Sequence, residues 1–129
     1  MTLSANTLVA EARAQIRELT PEALAPRLAD DIVLIDVREP AEFETGHLPG
    51  AINIPRGVLE FQVEAHPAVA CVTDPALSAR DRDIVVYCRT GGRSALAAYN
   101  LQRMGFTRVR SLAGGITAWR EQGLPLHLR

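Results

Sequence analysis

Apolar residues along this chain fall into two alternating patterns. Ile32-Val33-Leu34-Ile35 and Ile84-Val85-Val86-Tyr87 are unbroken runs, too short for helices and matched to strands buried on both faces. Ala51-Ile52-Asn53-Ile54 and Val109-Arg110-Ser111-Leu112 read as further short strands. Between such runs, apolar positions recur at helical spacing. Leu8, Ala12, Ile16 and Leu19 mark a helix from Ser4 to Glu18. Thr20-Pro21-Glu22 is a helix start, with Thr20 as cap, Pro21 at the first position and Glu22 suited to the dipole; the helix should run to about Ala29. Ala41 to Thr45 predicts a helical turn, and Ser94 to Leu101 a helix with Gly105 as its C-terminal cap. Gly114-Gly115 opens a last helix through Trp119, ended by Gly123 and Pro125. Residues 55–83 resist this reading: Val58 to Val63 has a helical pattern, but His66-Pro67 and Asp74-Pro75 break any long element. Strands alternating with helices argue an α/β fold with a mainly parallel sheet, whose ligands bind beyond the carboxyl ends of the strands.

Cys88 falls at such a carboxyl end. It closes the run 84–87 and opens Cys88-Arg89-Thr90-Gly91-Gly92-Arg93, after which a helix begins. Free N–H groups of a first helical turn point into the turn that precedes it and carry the positive end of the dipole. Arg89 and Arg93 add two permanent charges. Surroundings of this kind lower the pKa of a thiol from ~8.5 into roughly the 3.5–7.5 range. The expectation is a cysteine nucleophile for a small anionic substrate. A lone cysteine after a strand is more often an inert buried hydrophobe; the glycine pair, the flanking arginines and the strand–turn–helix context favour the nucleophile.

Composition narrows the classes. The 129 residues suit one domain, and 47% hydrophobic with 22% charged residues is ordinary for a globular protein. A net charge of −1 gives no bulk field for nucleic acid or anionic membrane, so neither is expected as a partner, and attraction for an anion must be local. No apolar run approaches the ~18 residues of a membrane span, and Met1 to Ala14 does not read as a signal peptide. Cys71 and Cys88 make no disulfide framework, which fits a reducing cytoplasm. His47, His66 and His127 are scattered without ligand spacing, and Gly91-Gly92 lacks the Lys-Ser/Thr of a phosphate-binding loop, so neither a metal nor another cofactor is expected.

Three segments in order carry a family resemblance. Leu34-Ile35-Asp36-Val37-Arg38 with Glu42-Phe43 and then 46–55, the loop 88–93, and Leu112-Ala113-Gly114-Gly115 with Trp119 together resemble the single-domain rhodaneses, the thiosulfate sulfurtransferase-like proteins. The likeness covers roughly Thr20 to Pro125. It implies a three-layer α/β domain over 20–129, with a five-stranded, mainly parallel sheet and helices on both faces, preceded by a helical extension over 1–19. It also implies sulfur transfer. Cys88 would take the outer sulfur of thiosulfate or a related donor as a persulfide and hand it to a thiophilic acceptor, cyanide or a thiol. A protein-borne persulfide is a further donor.

Roles follow by position. Backbone amides from Arg89 through Thr90, Gly91 and Gly92 to Arg93 would cradle the persulfide's terminal sulfur. Gly91 and Gly92 would both supply unusual φ values. Arg93 would close the cradle, and Arg89 would face outward to the donor. Asp36, Arg38 and His47 read as support: Asp36 tying down loop backbone, Arg38 in an internal ion pair near Glu42 and Glu44, His47 bonding loop backbone. Trp119 reads as core, and Cys71, without basic neighbours, as outside the chemistry. Two alternatives stand beside sulfur transfer. One is a phosphatase or arsenate reductase of the same fold, whose loop places its arginine one residue later; the other is a non-catalytic sulfur-carrier or partner-binding module.

Overall fold

A computed structural model of the chain describes residues 2–66 and 80–128. Cys71 and the break at Asp74-Pro75 lie outside the described residues. The elements run α1 (Ala5–Gln15), β1 (Arg17–Leu19), α2 (Pro21–Leu24), β2 (Val33–Asp36), α3 (Pro40–Glu44), β3 (Ile52–Asn53), α4 (Leu59–Gln62), β4 (Ile84–Tyr87), α5 (Gly92–Arg103), β5 (Val109–Leu112) and α6 (Gly115–Glu121). Single 3₁₀ turns over Ala25–Arg27 and Arg56–Val58 follow α2 and precede α4.

Among the described residues five strands make one sheet in the order β1-β5-β4-β2-β3, and all four pairings are parallel. Both central strands are buried on both faces, as their unbroken apolar composition demands. Alternate side chains serve opposite layers. Val33, Ile35, Ile84, Val86 and Cys88 join Ala97, Ala98 and Leu101 of α5 with Leu59 and Val63 in one core. Leu34, Val85, Tyr87 and Leu112 join Leu24 of α2 with Ile116 and Trp119 of α6 in the other. Trp119 is fully buried, and its indole N–H donates to the Pro125 carbonyl at 2.8 Å.

Two expected helices are shorter than their apolar spacing suggested. The first stops at Gln15, because Arg17–Leu19 pairs with Arg110–Leu112 as the edge strand β1. The residues 17–19 thus belong to the sheet rather than to a helix. The second begins as expected, with Thr20 Oγ1 accepting from the Ala23 N–H at 3.2 Å and Pro21 in its first turn. It tightens into the 3₁₀ turn where Pro26 offers no N–H to continue an α-helix.

Candidate active site

Cys88 leaves β4 with its side chain on the α5 side of the sheet and only 1% exposed. Gly91 then turns the chain at φ +111°, a left-handed conformation open chiefly to glycine. Gly92, by contrast, sits in the first turn of α5 without a positive φ, so the expected special conformation belongs to Gly91 alone. A Cβ on Gly92 would meet Val9 of α1 at an ordinary 3.7 Å.

The N-cap of α5, Gly91, has no side chain to satisfy the free N–H groups behind it. The Cys88 sulfur takes that role. It accepts from the Gly91 N–H at 3.1 Å and from the Ser94 N–H at 3.4 Å. Of the amides from Arg89 to Arg93, Gly91's is the one bonded to the resting sulfur, and Ser94 adds a second from beyond the expected span. The Ser94 hydroxyl lies 3.6 Å from the sulfur and 2.8 Å from the hydroxyl of Ser111 on β5, both serines being fully buried. Neither serine was apparent from sequence. Ser94 reads as a helix residue and Ser111 as a strand residue; Ser94 reaches Cys88 from the first turn of α5, and the packing of α5 over β5 sets Ser111 behind it.

The far side of the loop is held by α6. The Ile116 N–H donates to the Cys88 carbonyl at 2.9 Å, and the Thr117 N–H to the Arg89 carbonyl at 3.0 Å. Gly115 allows this approach, since a Cβ there would lie 2.5 Å from both carbonyl oxygens. Gly115 is therefore a contact requirement of the cysteine loop, whereas a Cβ on Gly114 would meet Ala118 of α6 at 2.6 Å.

Arg93 does not close over the sulfur. Its two terminal nitrogens bind the Glu42 carboxylate at 2.8 and 3.1 Å, so α3 clamps the side of the loop. The Arg93 hydrogen bonds, foremost, hold the Glu42 carboxyl at about 2, against a desolvation that works the other way. Glu42 also accepts the Glu39 N–H, completing a reciprocal cap of α3. Arg89 and Thr90 are exposed. Arg89 lines an open cleft of about 320 Å³ beside the loop, with Arg38, Ala41, Glu42, Thr45, Ile116 and Arg120 around it. Among the described residues neither Arg89 nor Arg120 has an ion-pair partner. Arg13 of α1 reaches the opposite rim, its terminal nitrogen 2.9 Å from where a Gly91 Cβ would stand.

The support residues form a buried knot beneath the cleft. Arg38 pairs with Asp36 rather than with Glu42 or Glu44: its Nε and Nη2 donate to the carboxylate at 3.0 and 2.7 Å, and its backbone N–H at 2.9 Å. Both side chains are at most 4% exposed, where a charge is tolerated only when paired and fully bonded. The remaining Arg38 bond goes to the Gly46 carbonyl at 2.7 Å, tying β2 to the end of α3. His47 Nδ1 lies 3.3 Å from the Phe43 carbonyl, with its ring stacked on Phe43. Among the described residues no three His, Cys, Asp or Glu side chains converge as metal ligands. No helix among them is long and apolar enough to cross a membrane.

The Rhodanese-like domain family matches residues 20–122. A sulfurtransferase from Allochromatium vinosum is 38% identical over 113 residues, covering 86% of this chain and 94% of its own. Among solved structures, a Rhodopseudomonas palustris protein of unknown function, described as a possible tyrosine phosphatase, aligns with a TM-score of 0.81 at 35% identity over 98% of this chain and 96% of its own. The polysulfide-sulfur transferase homodimer of Wolinella succinogenes gives 0.73 at 31% identity over 92% and 83%.

Proposed function

The chain belongs to the rhodanese-like domain family, and from that premise we propose that it is a sulfurtransferase working through a persulfide on Cys88, with thiosulfate or a related sulfane donor. The observation that carries this reading is the Cys88 sulfur seated over the start of α5, accepting two N–H groups. Those donors act on negative charge at sulfur without moving, which is the economy of a preorganised site.

The chemistry balances without redox help. The Cys88 thiolate attacks the outer sulfur of thiosulfate; the S–S bond of the donor breaks, and sulfite leaves with the electron pair. The enzyme is left as Cys88–S–S⁻. Cyanide or a thiolate then attacks the terminal sulfur, the new S–S bond breaks, and the Cys88 thiolate returns. Donor and acceptor use the site in turn, the pattern of covalent catalysis. Arg89 and Arg120, cations of the adjoining cleft without an ion-pair partner among the described residues, would hold the departing sulfite.

The phosphatase alternative has a structural neighbour behind it, and the position of Arg93 argues against it. A phosphoryl group needs a cation over the nucleophile, whereas Arg93 is committed sideways to Glu42. The loop is also one residue shorter than the phosphatase type, Cys88 to Arg93 spanning six positions.

Incubation with excess thiosulfate and no acceptor should add one sulfur atom to the intact protein, mapped to Cys88 by peptide mass. Cyanide should discharge it as thiocyanate, Cys88→Ser should take up none, and Cys71→Ser should behave as the parent. Sulfur on Cys71, or rapid hydrolysis of aryl phosphates with no sulfur uptake from any donor, would overturn the proposal. Uptake from an organic persulfide but not from thiosulfate would keep the persulfide and replace the donor.

A further inference from the structure

Four arginines crowd the opposite end of the sheet. Arg17 on β1, Arg27 after α2, and Arg108 and Arg110 at the start of β5 line a cleft of about 410 Å³ with Gln102, Thr107 and Asp83. Among the described residues Asp83 is the one carboxylate in that lining. It precedes β4, is 6% exposed, and accepts Arg27 at 2.6 Å on one oxygen and Arg110 on the other. Burial works to raise this carboxyl, and the bonds and charges of Arg27 and Arg110 outweigh it, so Asp83 stays ionised below the ordinary carboxylate range.

Two guanidinium groups already satisfy Asp83, and the others are surplus to it. Arg108 reaches the carboxylate only at 3.5 Å with 60% of its side chain exposed. Arg17 has no ion-pair partner among the described residues, yet it stands in register beside Arg110 on the neighbouring strand. Like charges placed side by side across strands are destabilising by themselves. Asp30 bonds Arg27 at 3.4 Å from outside the cleft, and Asp30, Asp31 and Asp81 line, with Arg82, an adjoining depression that shares Asp83 and Arg108 with the cleft. Within the cleft the formal balance remains four positive charges to one negative, in a chain whose net charge is −1.

We infer that this cleft is a second anion site, distinct from the cysteine loop, for a small molecule bearing a di- or triphosphate. Asp83 acts as an internal anchor that splays Arg27 and Arg110 into fixed positions, leaving their outer N–H groups and those of Arg17 and Arg108 for the ligand. Planar guanidinium forks match phosphate oxygens two by two. Gln102 adds a neutral donor at the rim. The cavity exceeds the needs of a single phosphate and falls within the ordinary range of small-molecule sites, roughly 300–1,000 Å³. A concave pocket of this kind suits a compact polyanion better than an extended strand or surface.

The test uses the full chain as Cys88→Ser, titrated with pyrophosphate and tripolyphosphate at constant ionic strength by calorimetry and by backbone amide shifts. One-to-one binding is expected, with shifts centred on residues 17, 102 and 107–110. The double variant Arg17→Gln/Arg108→Gln should weaken it by about tenfold or more, equivalent to ~1.4 kcal/mol, while its melting temperature without ligand stays near the parent's. Arg89→Gln/Arg120→Gln should leave the affinity unchanged. No saturable binding at millimolar concentration would overturn the proposal. So would binding lost with Arg89 and Arg120 but kept without Arg17 and Arg108, which would place the anion at the cysteine loop.

Discussion

Glu42 serves two masters on α3: it accepts both terminal nitrogens of Arg93 and caps its own helix through Glu39. Its carboxyl titrates at about 2, below the ordinary 4.5. A lowered folded-state value means stability that is fully present above about pH 4.5 and drains away as pH falls toward 2. Because the pair is about one-third exposed, its share is modest, ~0.2–1 kcal/mol. Urea midpoints of the parent and Glu42→Gln, measured from pH 7 to pH 2, should therefore converge at the acid end. A gap of constant size across that range would show that Glu42 acts through something other than its charge. At neutral pH the same variant should loosen Arg93 and lower sulfur uptake at Cys88.

Among the elements, α6 holds the loop from its far side through two backbone bonds and one close glycine approach. Gly115→Ala would drive a methyl against two carbonyl oxygens at 2.5 Å while also straining a backbone held at φ +59°. Neither carbonyl belongs to a flexible side chain, so the loop itself must yield. The expected result is a stability loss of ~1–3 kcal/mol with a fall in turnover of at least about tenfold, read from thermal melts and thiocyanate formation. Turnover at the parent's level would mean that the α6 contact does not shape the loop. This contact also shows where sequence reading succeeds and fails. Buried strands such as 84–87 announce themselves through unbroken apolar runs, and the glycines of 88–93 and 114–115 through turn chemistry. β1 was hidden, because a three-residue edge strand takes its identity from pairing with β5, and Ile16 and Leu19 also fit a helical spacing. Arg93 was placed on the right loop but given the wrong neighbour, since its partner Glu42 comes from a distant turn. Ser111 and Arg13 meet the site only through tertiary packing, and no local pattern encodes that.

At the scale of the whole molecule, the sheet order makes residues 17–19 an outer rail for β5. Deleting residues 1–19 should therefore do more than trim an extension. It would bare the backbone edge of Arg110–Leu112 and the side of Leu112, an invitation to pairing between copies. Light scattering and thermal melts should show a lower melting temperature and self-association. A truncated protein as stable and monodisperse as the parent would show that β1 is dispensable.

The bonds from α6 to the cysteine loop have one more consequence, in time rather than in space. Cys88 leaves the ribosome well before Ile116 and Thr117, whose N–H groups steady its loop, and β1 waits for β5 although it was synthesised first. Closing such distant pairs early in synthesis has no compensating contacts to offset the lost chain entropy. The nascent thiol thus precedes the α6 bonds that steady its loop, and the loop takes its final shape only after Ile116 and Thr117 have been added.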